Sequence, residues 1–168
     1  MFLATSGVFA FVRTRGYTIP EETRARLQSL NDWQYIVVQH VARRVAAPDR
    51  SDASIPTPDD TDVVGFVDGY LASVPPAIRR DVLRALAFVE HMAPIGAGFG
   101  ARFTRLPPDD QDRVLASLES SSQDLLRGAF DGLKSLVFMG YYRDPRTWPI
   151  LSYDGPLVNR PDNGWSRP

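Results

Sequence analysis

His40 and His91 are the only imidazoles the chain offers for acid–base or metal chemistry, and it contains no cysteine. Disulfides, thiolate nucleophiles and cysteine-ligated zinc or iron–sulfur centres are therefore excluded. His40 lies in Val37-Val-Gln-His-Val41, where the apolar spacing makes it a hydrogen-bonded helix residue. His91 precedes Pro94, at a helix end where the dipole favours a cation. Neither has the His-Glu-x-x-His spacing that turns two imidazoles toward one zinc. The clusters Asp59-Asp60-x-Asp62 and Asp109-Asp110-x-Asp112 fall at expected helix starts, where capping and the dipole account for them. They lack the central Gly and terminal Glu of a calcium loop. Gly96-Ala-Gly98-Phe-Gly100 follows no strand and carries no Gly-Lys-Ser/Thr or G-x-G-x-x-G pattern, so it reads as a turn between helices. No Gly-x-Ser-x-Gly elbow is present, and Ser120-Ser-Ser122 reads as a spacer. One autonomous chemistry remains open: a small pocket using His91, Asp68 or Tyr141, as an independent enzyme or ligand-binding domain would have.

The elements that must carry these residues are helical. Thr18-Ile-Pro-Glu21 has the form of a capping box, and Leu27, Leu30, Val37 and Val41 recur near helical spacing. One long helix is expected over residues 20–46, ending before Pro48. A loop rich in turn residues follows through Pro58. A second helix is expected from Asp59 to Ser73, with Val63, Phe66, Val67, Tyr70 and Leu71 on its inner side. Pro75-Pro76 opens a third, in which Ile78, Val82, Leu83, Leu86 and Val89 keep the period up to Pro94. Leu106-Pro-Pro-Asp-Asp110 opens a fourth. A fifth, from about Ser122 to Met139, carries Leu125, Leu126, Phe130, Leu133, Leu136 and Val137 nearly all round, which predicts a central, buried helix. No alternating strand pattern and no internal repeat appears. The expected fold is all-α, a compact bundle of about five helices with an irregular aromatic and Pro-rich C-terminal segment.

At 168 residues, with 43% hydrophobic and 23% charged content, the chain suits one soluble domain with a real core. Its net charge of −1 argues against a general nucleic-acid binder. No apolar run reaches the ~20 residues that span a bilayer. The N-terminus, Met1-Phe-Leu-Ala-Thr-Ser-Gly-Val-Phe-Ala-Phe-Val12, is nevertheless apolar and rich in small residues. It reads either as the remnant of an export signal or as a short arm packed on a partner. Residues 1–17 are thus expected to be an apolar arm or signal remnant, 18–157 the helical domain and 158–168 a tail.

From Phe138 to Tyr153 the chain places Phe138, Tyr141, Tyr142, Trp148 and Tyr153 where its regular structure stops. Such rings either cover the open end of the bundle or form an interface, since Tyr, Trp and Arg supply rigid contact area. The ordered set Thr18-Ile-Pro-Glu-Glu22, Ile55-Pro56, Phe66-Val-Asp68, Phe103-Thr-Arg-Leu-Pro-Pro-Asp-Asp110, Gly140-Tyr-Tyr142 and Leu151-Ser-Tyr-Asp-Gly-Pro156 resembles the gluconate 2-dehydrogenase subunit 3 family. Gly-Tyr-Tyr followed by Tyr-Asp-Gly-Pro is its most specific part.

The resemblance implies a non-catalytic helical small subunit with no cofactor, catalytic or metal site of its own. Its partner would be a large subunit of the glucose–methanol–choline type, which holds FAD and abstracts hydride from an alcohol or sugar. A cytochrome c subunit would take the electrons in some complexes. The same resemblance marks Tyr141, Tyr142, Trp148, Tyr153, Gly155 and Pro156 as partner-binding candidates. Many relatives carry a twin-arginine signal and escort the folded partner across the membrane. The arginine pair is absent before Phe2-Leu-Ala-Thr-Ser-Gly7. A periplasmic location is expected with such a signal upstream, a cytoplasmic one without it.

Overall fold

A computed structural model describes residues 16–46 and 54–155. The apolar segment Met1–Val12, much of the loop after residue 46, Pro156 and the tail lie outside them. The described residues form an all-α bundle: α1 (Glu21–Arg26), α2 (Asp32–Val45), α3 (Val63–Ser73), α4 (Pro76–His91), the single turn α5 (Ala93–Gly96), α6 (Pro108–Glu119) and α7 (Asp124–Tyr142). Two 3-10 helices complete it, η1 (Phe103–Arg105) and η2 (Pro145–Leu151), and no strand occurs among the described residues.

The helix expected over 20–46 is two helices, and the reason is tertiary. Leu27 is extended (φ −68°, ψ 137°), and the Asp68 carboxylate of α3 accepts the backbone N–H groups of Gln28, Ser29 and Leu30 at 2.8, 2.9 and 2.7 Å. Those donors could not otherwise be given up by a helix in a packed region. Asn31 then restarts the helix with a reciprocal capping box to Gln34, while Arg24 spans the break to Asp32. The capping box expected at Thr18 is not formed: Pro20 holds the α1 N-cap and no side chain caps it.

The helix expected from Asp59 begins at Val63. Asp60 accepts from Thr57 N–H and Oγ1 and holds a turn, while Asp59 takes Gln39 and Arg43 and ties the segment to α2, so neither carboxylate caps a helix start. Asp62 is the N-cap; it lies in the left-handed region (φ 51°) and accepts the Gly65 N–H. Pro76 starts α4 as expected, and Asp109 and Asp110 lie in the first turn of α6.

α7 is the hub: α2, α3, α4 and α6 all pack on it. Val37 and Val41, Val63 and Leu71, Leu86 and Val89, Phe103, Val114 and Tyr141 are among the fully enclosed apolar contributors. Each buried side chain of this size contributes ~1.5–3 kcal/mol before entropy is counted. Gly140 permits the closest approach, because a Cβ there would stand 3.0 Å from Phe66 Cδ1 and 3.2 Å from Val63 Cγ1. The expected all-round burial of α7 fails at one face, where Leu125 is 82% and Met139 51% exposed.

Candidate partner interface

The C-terminal aromatics divide into an inner and an outer set. Helix ends leave their last carbonyls without intrahelical donors, and the end of α7 recruits them from η2. The Trp148 indole N–H donates to the Tyr142 carbonyl at 2.9 Å, and Thr147 Oγ1, wholly buried, donates to the Tyr141 carbonyl at 3.4 Å. Tyr141 is 1% exposed and its hydroxyl donates to the Pro56 carbonyl at 2.8 Å; burial raises its phenol above the ordinary range. Tyr142 is half-buried and packs on Tyr141 and Phe138 at ring separations of 5.1 and 5.7 Å.

After η2 the chain reverses through Ser152 (φ 51°) and Gly155 (φ 97°). The reversal lays Tyr153 edge-on against Trp148 at 5.1 Å and buries Gly155 beneath the indole, where a Cβ would lie 3.0 Å from the Trp148 ring. Arg146 fastens this hook to the bundle by pairing with Asp144 at 2.6 Å and donating to the Asp60 carbonyl at 3.0 Å. Ile150, Leu151 and Tyr153 are left outside, 40–54% exposed. Of the candidates read from the sequence, Tyr141 and Gly155 face this protein's own interior, Tyr142 and Trp148 are half-covered, and Tyr153 is presented outward. Ile150 and Leu151, the aliphatic pair between Trp148 and Tyr153, carry no periodicity or motif in the sequence that sets them apart from core.

A second apolar surface had no sequence signal strong enough to separate it from core. α4 and α7 leave an open groove of ≈ 880 Å³ between Ile78 and Phe88 on one wall and Leu125, Gly128, Gly132 and Met139 on the other. A Cβ on Gly128 or Gly132 would meet nothing within 4 Å, so no internal neighbour requires either glycine. The i, i+4 placement of these glycines beside Leu125 was the available clue.

His91, Asp68 and Tyr141 do not converge on one pocket. Asp68 holds the 28–30 turn, Tyr141 holds Pro56, and the His91 ring lies 5.8 Å from Trp33. Among the described residues no three His, Asp or Glu side chains stand where they could hold a metal ion. No described helix is long and apolar enough to cross a membrane.

A buried polar cluster escaped the sequence reading. Glu90, fully enclosed on the inward register of Leu86 and Val89, accepts the Thr104 N–H at 3.1 Å, the Thr104 hydroxyl at 2.8 Å and the Tyr17 hydroxyl. Burial, and then that bond to Glu90, raises the Tyr17 phenol well above its ordinary value. The cluster ties the start of the described chain to α4 and η1.

His40 is the structural residue its spacing predicts. Its Nδ1 lies 2.9 Å from Gln111 Nε2, which also donates to the Leu106 carbonyl. Nδ1 therefore accepts, and protonating it would oppose two donors. Burial lowers its pKa. The unfolded chain thus binds the proton more readily, so this contribution to stability is complete above the unfolded value, about 6.5, and is lost as pH falls below it. Urea unfolding at successive pH values should show a shallower loss between about pH 7 and 5 in His40→Gln than in the parent. Asp32, Asp60 and Asp144 have their carboxyls lowered by Arg24, Thr57 and Arg146 respectively. Their contribution is present above the unfolded value, about 3.9, and lost as pH falls through the lower folded one, which separates them from His40.

A family model described as gluconate 2-dehydrogenase subunit 3 matches residues 32–154. It runs from the first residue of α2 to the hook and leaves out α1. No curated protein and no solved structure matches the chain.

Proposed function

The chain belongs to the gluconate 2-dehydrogenase subunit 3 family, and from that premise we propose that it is the non-catalytic small subunit of a flavin-dependent dehydrogenase. Its work is to bind and stabilise a large subunit of the glucose–methanol–choline type, which holds FAD and takes hydride from an alcohol or sugar. A cytochrome c subunit is the further partner for the electrons. Escort of the folded large subunit during export belongs to the same reading.

The observation that carries the proposal is the hook. Its outward side chains, Ile150, Leu151 and Tyr153, stand on a frame already braced by Trp148, Gly155, Arg146 and Thr147. A surface fixed before binding loses little conformational entropy on docking, and apolar and aromatic anchors of this kind dominate interface energies. Asp68, His91 and Tyr141, the residues that a separate activity would call upon, are engaged elsewhere in the fold.

Affinity purification of the tagged chain from cells that also express the large subunit tests the reading. A complex with a visible flavin spectrum is expected. A colourless chain that purifies alone from those cells would refute it.

A further inference from the structure

Two apolar features remain unused by the subunit reading: the α4–α7 groove, and the segment Met1–Val12 that precedes the described residues. We propose that the N-terminal arm seats in the groove of its own chain.

Where the arm joins the domain sets its reach. The Gly16 carbonyl accepts from Arg105 Nη2 at 3.4 Å, and the Tyr17 hydroxyl is held by Glu90 on α4. Glu90 lies two positions beyond Phe88, which lines the groove, and so faces the other side of α4, which the arm must round. Along α4 the groove extends from Ile78 to Phe88, about 15 Å at the helical rise. Arg13-Thr-Arg15 can cover about 10 Å, enough to begin rounding α4. The preceding twelve residues span about 40 Å extended or about 18 Å as a helix. Either length exceeds that of the groove along α4.

The chemistries also agree. From Phe2 to Val12 the arm has no ionisable side chain and alternates bulk with small residues: Phe2, Leu3, Val8, Phe9 and Phe11 against Ala4, Gly7 and Ala10. The groove has the same character. Its charged residues are Asp81 and Arg84, which pair at 3.3 Å, and Asp124, which pairs with Arg127. Gly128 and Gly132 each cost a helix interior ~0.5–1 kcal/mol relative to Ala. No neighbour in the described fold occupies the space they leave, and a backbone or ring lying over α7 would. The open volume is that of several side chains, not of one or two waters.

The three methionines, Met1, Met92 and Met139, provide the test. Met1 is in the arm, Met139 lines the groove, and Met92, 49% exposed, is a control outside the groove's walls. Peroxide oxidation of the full chain, followed by mass spectrometry, reads how covered each thioether is. Met139 should oxidise about five-fold more slowly than in a chain lacking residues 2–12, with Met92 equal in both. Gly132→Leu, whose Cβ would meet nothing within 4 Å and whose side chain projects into the groove, should speed Met1 oxidation at unchanged helical content. Equal Met139 rates in both chains overturn the proposal, as does unchanged Met1 oxidation in Gly132→Leu. Protection of Met139 that falls on dilution would assign the groove to a second copy. Protection that appears only with the large subunit would assign it to that partner. Either outcome overturns seating of the arm.

Discussion

Asp68→Ala is expected to lower the unfolding free energy by ~3 kcal/mol. The carboxylate is 3% exposed and accepts three consecutive backbone N–H groups. Bonds to a charged acceptor are worth about 1.5–3 kcal/mol each, and donors left buried cost about as much. The sum is reduced because Gln28 is exposed and Ser29 half-exposed, so water replaces part of the loss. Leu30 N–H is buried with no such recourse. For a chain of this size the loss corresponds to a melting shift of about 10 °C. Asp68→Asn, which keeps an acceptor and loses the charge, should fall between. Chemical denaturation with both variants checks this; a loss under ~1 kcal/mol for Ala would mean that the 27–31 break holds itself without Asp68.

The second large effect concerns the hook. Leu151→Asp combined with Tyr153→Ala should weaken binding to the flavoprotein ten- to a hundred-fold, roughly 1.4–2.8 kcal/mol, while the melting temperature of the isolated chain stays within about 2 °C. Leu151 is 54% and Tyr153 44% exposed, and exposed substitutions away from caps and cores seldom move stability by more than ~0.5 kcal/mol, the Tyr153 ring on Trp148 accounting for the rest of that window. Tyr142→Ala with Trp148→Ala should weaken binding too, and here the monomer also suffers. That pair removes the indole bond to the end of α7 and the ring covering Gly155. Calorimetric titration beside thermal melting separates the two sets. An unchanged dissociation constant for the outer pair would place the interface elsewhere.

These contrasts show where the sequence was readable. α4, α6 and α7 were legible because Pro76 and Pro108 mark their starts and their apolar residues keep the helical period. The break at 27–31 was not, since its cause is a carboxylate about forty positions away. Its one local sign, the Asn31-x-x-Gln34 capping pattern, lies inside an apolar period that runs across it. Leu125 was read as core for the opposite reason: periodicity reports which face is apolar, not whether anything covers it. In the aromatic segment the ring types were plain, but their sorting depends on a reversal at Ser152 and Gly155 that only the folded backbone displays. Glu90 stayed hidden because a charged residue on an inward register gives no hint of the Tyr17 and Thr104 groups that hold it.

The central claim, that this chain stabilises a flavin-dependent partner without contributing an active site of its own, is tested most directly by expressing the large subunit with and without it. The expected result is a large subunit that is soluble, flavin-loaded and active with the chain present, and depleted in all three without it. A large subunit equally soluble, loaded and active alone would contradict the account.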